Sequence, residues 1–87
     1  MTADEDPVGD DLRRALERLV TMPDAVDIEI EERGRNVQLR VRVDPSDLGA
    51  VIGRRGRTVN ALRTLIGLRG RDDGVRYDLK IIETDRD

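Results

Sequence analysis

Two glycines three positions apart, Gly53 and Gly56, bracket Arg54 and Arg55, and Arg57, Thr58 and Val59 follow directly. These are the residues of this chain whose types and spacing could do chemistry. Glycine reaches backbone conformations closed to other residues and puts no side chain in a ligand's way. A tight turn here, opening into a helix, would present free backbone N–H groups, add the helix dipole to them, and set three guanidinium groups alongside. That combination is an anion site suited to phosphates, with Val51 and Ile52 beside it as an apolar floor. A G-x-x-G spacing alone arises by chance and then means only a helix cap and a tight turn. Here it lies between two helical patterns, after a strand pattern. From Gly53 to Arg71 there are six basic side chains and no acidic one, in a chain whose net charge is −3. The context favours the anion site.

Other chemistries find little to work with. The chain has no Cys and no His, which removes disulfides, thiolate metal sites, a cysteine nucleophile, and the commonest zinc ligand and general base. Carboxylates, Ser46, Thr58 and Tyr77 form no convergent cluster. Asp44, Ser46 and Asp47 read as helix-start residues, and Asp72-Asp73 as solvated loop charge. No enzyme, metal or cofactor is expected. Tyr77, the sole aromatic residue, argues against recognition on stacking platforms. Residues 1–12 hold five acids and no base, as do residues 23–32. Net charge governs solubility and long-range steering, whereas a binding footprint acts within a Debye length of about 8–10 Å. The basic segment can therefore work inside an acidic chain. No apolar run approaches membrane length, and Met1-Thr2-Ala3-Asp4-Glu5 lacks the parts of a signal peptide. A cytoplasmic location is expected.

The elements that must position this stretch follow from periodicity. At 87 residues, 37% hydrophobic and 40% charged, the chain supports one small domain that uses every apolar face. Residues 1–9 read as a disordered acidic tail. A helix begins with Asp10 or Asp11 as N-cap and carries Leu12, Ala15, Leu16, Leu19 and Val20 on one face until Pro23 ends it. Two strands alternate, Val26-Ile28-Ile30 and Val37-Leu39-Val41-Val43, around a turn at Arg33-Gly34-Arg35-Asn36. Pairing Glu31 with Asn36 sets Glu29 against Gln38 and Asp27 against Arg40, apolar on one face and charged on the other. Arg40 and Arg42 then read as solvated sheet charges. Asp44 caps the next helix, with Pro45 first and Asp47 in the capping-box place. Leu48, Val51 and Ile52 form its apolar face and Gly53 ends it. The helix after Gly56 turns Val59, Leu62, Leu65 and Ile66 inward and weakens at Gly67. Gly70 to Gly74 reads as a loop, Val75 to Ile81 as a third strand, and residues 83–87 as a charged tail. The fold class is α+β, in the order α-β-β-α-α-β. A three-stranded mixed sheet has helices on one face and water on the other.

The run Leu48-Gly49-Ala50-Val51-Ile52-Gly53-Arg54-Arg55-Gly56-Arg57-Thr58 resembles the helix–loop–helix signature of KH domains, whose G-x-x-G loop clamps single-stranded nucleic acid. The element order is similar to the type II, bacterial arrangement. With a single KH domain over residues 10–82, the chain looks most like the small stand-alone bacterial KH proteins of the KhpA (YlqC) family. The resemblance implies single-stranded RNA as partner and a role in RNA metabolism or as an RNA chaperone. It implies close backbone approach at Gly53 and Gly56 and phosphate contact by Arg54 and Arg55. Arg57 extends the positive rim with Thr58 beside it, and Ile52 and Val59 neighbour the base groove. Arg69 and Arg71 are secondary candidates, near the variable loop. It also implies a homodimer, or pairing with a larger KH-containing RNA-binding protein of the Jag type. In the alternative reading the fold chiefly dimerises or docks, and a partner supplies most RNA affinity.

Overall fold

The structure, a computed structural model, describes residues 7–83. The expected charged tail lies outside the described residues except for Glu83, as do the first six residues of the expected acidic tail. Three helices and three strands follow the anticipated order: α1 (Pro7–Glu17), β1 (Asp27–Arg33), β2 (Asn36–Arg42), α2 (Leu48–Ile52), α3 (Arg57–Asp73) and β3 (Arg76–Ile81). One-turn 3-10 segments at Pro23–Ala25, Pro45–Asp47 and Arg54–Gly56 join them.

Helix α1 starts earlier than its acidic N-cap candidates suggest. Pro7, pre-set for the first helical position, opens it, and Pro7, Val8 and Gly9 belong to the helix rather than to a tail. Val8 extends the Leu12–Leu16 stripe by one turn and is as buried as they are. The helix also ends earlier, at Glu17. Leu19 and Val20 donate their N–H groups to the Leu16 carbonyl in the closing turn, and their side chains still pack on the core. Pro23 therefore opens a separate 3-10 turn instead of ending α1.

The sheet order is β1-β2-β3, with β1 and β2 antiparallel and β2 and β3 parallel. The hairpin is tighter than the expected four-residue turn. Arg33 pairs with Asn36, which moves the register by two, so that Glu31 faces Gln38, Glu29 faces Arg40 and Asp27 faces Arg42. The reason is Gly34, whose φ of 60° supplies the positive value that a two-residue hairpin turn needs at its first central position. A shift of two preserves side-chain parity. The apolar set still faces the helices and acids still face bases across the wet side.

The core lies between sheet and helices. Leu16, Leu39, Val41 and Val51 are its most completely buried side chains, surrounded by Ile28, Val43, Val59, Leu62, Ile66 and Leu79. Helix α3 runs unbroken through Gly67 and Gly70 to Asp73, where a loop was expected from Gly70. Gly70 is there for close packing: a Cβ would sit 2.6 Å from the Val75 carbonyl oxygen, and its own carbonyl accepts the Val75 N–H at 3.0 Å. Leu65, expected inward, is 62% exposed, and Leu68 beside it is 53% exposed. At about 100° per residue, Leu65 falls past the edge of the face that Val59, Leu62 and Ile66 share.

Candidate nucleic-acid interface

The G-x-x-G stretch is held at both ends. On one side, Val43 is buried directly after β2 and Asp44 Oδ2 accepts the Ser46 N–H at 3.0 Å, so the chain enters α2 with a fixed direction. Helix α2 has only five residues, pinned to the core by Val51, and its last hydrogen bond runs from the Gly53 N–H to the Gly49 carbonyl at 2.8 Å. On the other side Val59 is buried and anchors the first turn of α3.

Between these anchors the backbone reverses in four residues, three of them with positive φ: Gly53 (φ 79°, ψ 165°), Arg55 (φ 58°, ψ 25°) and Gly56 (φ 74°, ψ 15°). Gly53 occupies a region essentially reserved for glycine. The Gly56 N–H donates to the Gly53 carbonyl at 3.1 Å and the Arg57 N–H to that of Arg54. Gly56, the N-cap of α3, has no side chain to cap it. The first amides of a 17-residue helix are thus left without a side-chain acceptor, the condition under which a helix start attracts anions.

Arg54, Arg55 and Arg57 stand around this turn with exposed side chains. None has an ion-pair partner among the described residues. The ion pairs formed there lie elsewhere, at Arg14–Asp10, Arg33–Glu31, Arg69–Asp11, Arg69–Asp73 and Arg76–Asp78. Three unneutralised guanidinium groups at an uncapped helix start make a local positive centre in an acidic chain. Ile52 and Thr58 flank it, each half-buried, whereas Val59 supports from within the core. Arg63 is turned toward β3, where its Nε donates to the Leu79 carbonyl at 3.4 Å.

The two secondary candidates are not brought to the turn. Arg69 lies about 18 Å along α3 from Arg57, and Arg71 about 21 Å. Arg69 braces α1 against α3, donating to Asp11 Oδ2 at 3.0 Å and pairing with Asp73 at 3.5 Å. Arg71 is exposed at the far end of the helix.

Periodicity missed the role of Asp47. Its expected place was in a capping box behind Asp44, but its carboxylate is buried, 3% exposed, and reaches across to the segment after α1. Its Oδ1 accepts the Thr21 N–H at 3.0 Å and the Thr21 hydroxyl at 2.9 Å, and its Oδ2 accepts the Met22 N–H at 3.1 Å. The only hint in the sequence is an aspartate directly before an apolar helix face. The Thr21 N–H lowers its pKa below the ordinary 3.8, burial opposes that, and the Thr21 hydroxyl and Met22 N–H add to the lowering. A folded-state pKa below the unfolded one stabilises the fold above the unfolded value. That contribution disappears as pH falls through the lowered value. Asp47→Asn is therefore expected to melt roughly 5–10 °C below wild type at about pH 7. In thermal scans the gap should narrow below about pH 4, where wild type loses the same interaction.

No group of His, Cys, Asp or Glu among the described residues could hold a metal ion, and no helix of the described residues is long and apolar enough to cross a membrane.

Residues 10–81 match the family described as KhpA/KhpB, KH domain. The chain is 50% identical over 72 residues to the RNA-binding protein KhpA of Streptomyces coelicolor, an alignment covering 78% of this chain and 90% of that one. It is 45% identical over 82 residues to the RNA-binding protein KhpA of Mycobacterium leprae, with 91% and 95% covered. With the protein of that name from Streptococcus pneumoniae it shares 44% identity over 48 residues, 55% of this chain and 61% of the relative.

Proposed function

The chain belongs to the KhpA/KhpB KH-domain family, and on that premise we propose that it is an RNA-binding protein that grips single-stranded RNA through the backbone at Gly53–Gly56. Phosphates meet Arg54 and Arg55, Arg57 extends the rim, and Ile52 and Thr58 border the adjoining surface. Its relatives in Streptomyces coelicolor and Mycobacterium leprae bear the name RNA-binding protein KhpA. The observation that carries the proposal is the set of three arginines, without ion-pair partners among the described residues, around a turn with three positive φ values at the uncapped start of α3. One such loop holds about four nucleotides, which fits modest affinity, broad sequence tolerance and work as an RNA chaperone in the cytoplasm. Fluorescence anisotropy of a labelled, unstructured RNA at two salt concentrations tests it. With two to four phosphates engaged, the log–log salt slope should be roughly −1.4 to −2.8, at about −0.7 per phosphate. Absence of salt-sensitive binding at high protein concentration would overturn the proposal.

A second reading is favoured by a specific observation, the exposure of Leu65 and Leu68. They rim an apolar groove floored by Val8, Leu12, Ala15 and Leu62 between α1 and α3, on a chain with little apolar surface to spare. In this reading the groove joins two copies, or one copy and a Jag-type KH protein, and the partner adds RNA affinity. Leu65→Glu is expected to convert a dimer to a monomer in sedimentation velocity, with a melting temperature that falls only to that of wild type diluted to the monomer. A wild type that stays monomeric at about 100 μM would remove the two-copy form of this reading.

A further inference from the structure

We propose that Asp47 is a positioning residue, whose buried carboxylate fastens the segment after α1 to the entrance of α2 and so holds the Gly53–Gly56 turn in its gripping shape. The link to RNA rests on the reading above; the latch itself does not. Three donors from Thr21 and Met22 converge on the two oxygens of Asp47, and no cationic side chain pairs with it among the described residues. A buried charge matched only by neutral donors is a demanding arrangement. Its logic is the acceptor count. An ionised carboxylate is acceptor-only at both oxygens, whereas an asparagine would turn an NH₂ group toward one of the N–H donors.

The location gives the latch its purpose. Asp47 is the last residue of the 3-10 turn and directly precedes Leu48. Helix α2, at five residues, is too short to hold its own shape. Val51 in the core and Leu48 packed against it hold its inner face, and Asp47 fastens its entrance to the Thr21 segment. The 2.8 Å bond from the Gly53 N–H to the Gly49 carbonyl then decides where the turn begins. Releasing Asp47 leaves the sheet and the α1–α3 packing in place but lets α2 open locally, so the fraction of molecules with a formed turn falls. Apparent affinity falls by that same fraction.

The test uses the full chain as wild type, Asp47→Ala, Asp47→Asn, and Ile28→Ala as a core control on β1, all at a temperature where each is folded. Amide hydrogen exchange read by NMR should show Gly53 and Gly56 essentially unprotected in Asp47→Ala, as a turn formed in about a tenth to a fifth of molecules requires, while the β2 amides stay protected. The Ile28→Ala control should lose protection evenly. Anisotropy with an unstructured eight-nucleotide RNA should weaken about five- to tenfold for Asp47→Ala and stay near wild type for Ile28→Ala. Even loss of protection in Asp47→Ala, or unchanged turn protection, would overturn the latch. Should Asp47→Ala not fold, Asp47→Asn carries the same comparison. A wild type that does not bind the RNA overturns the phosphate reading instead, and exchange then decides the latch alone.

Discussion

Replacing Arg54 and Arg55 together with aspartate is expected to weaken binding of an unstructured RNA about a hundredfold at low salt, with a melting temperature near that of wild type. Two charge-assisted contacts at about 1.5 kcal/mol each give about 3 kcal/mol, and 1.4 kcal/mol corresponds to tenfold. Reversing the charge adds repulsion that salt screens, so the deficit should shrink as salt rises. The fold should survive, because both side chains are exposed and neither makes an ion pair among the described residues. Aspartate also tolerates the left-handed backbone at position 55. Anisotropy titrations at two ionic strengths, with a thermal scan of each protein, check this. A folded variant with unchanged affinity would remove the phosphate role of these two arginines.

The second large effect concerns the backbone. Gly53→Ala is expected to unmake the turn and lower the melting temperature by roughly 10–20 °C. Two causes act together. The conformation at φ 79°, ψ 165° costs a residue with a Cβ about 1–3 kcal/mol. That Cβ would also lie 2.8 Å from both the Cβ and the backbone N of Thr58, and closer still to its hydroxyl. Shortening Thr58 to alanine would not rescue the variant, because two of the three contacts remain. Gly56→Ala is the informative contrast. Its nearest neighbours would be 3.6 and 3.9 Å away, which leaves only the left-handed penalty of about 1–2 kcal/mol. Thermal denaturation should therefore rank Gly53→Ala well below Gly56→Ala. Equal effects would mean that the two glycines serve the turn in the same way.

What the sequence disclosed and what it hid divide along a physical line. Local patterns were readable. Alternation in Val37-Leu39-Val41-Val43 set the buried face of β2, and the glycine spacing marked the turn before α3. Even the misplaced hairpin register kept every side chain on its proper face, because the error was two residues and the pleat repeats every two. Features set by distant parts of the chain were not readable. Gly70 looks like a helix breaker until Val75, just before β3, and Tyr77 within it are seen packed against it. Leu65, three positions after Leu62, lies just past the edge of the core face, and no described element covers it. Asp47 has the composition of a cap, and only the approach of Thr21, 26 positions earlier, gives its carboxylate another use. At the candidate site, the arginines were legible as a cluster. That Arg69 is already engaged with Asp11 required the packing of α1 on α3.

Arg55 is the non-glycine residue with positive φ among the described residues. Glycine or asparagine would adopt that backbone with less strain, and either would surrender a guanidinium group at the turn. On the proposed phosphate role of Arg55, heat resistance and ligand grip pull this position in opposite directions. A library of variants ranked by survival at high temperature would enrich the very replacements at residue 55 that blunt the grip. The same library ranked by RNA capture would retain arginine and accept a slightly less stable protein.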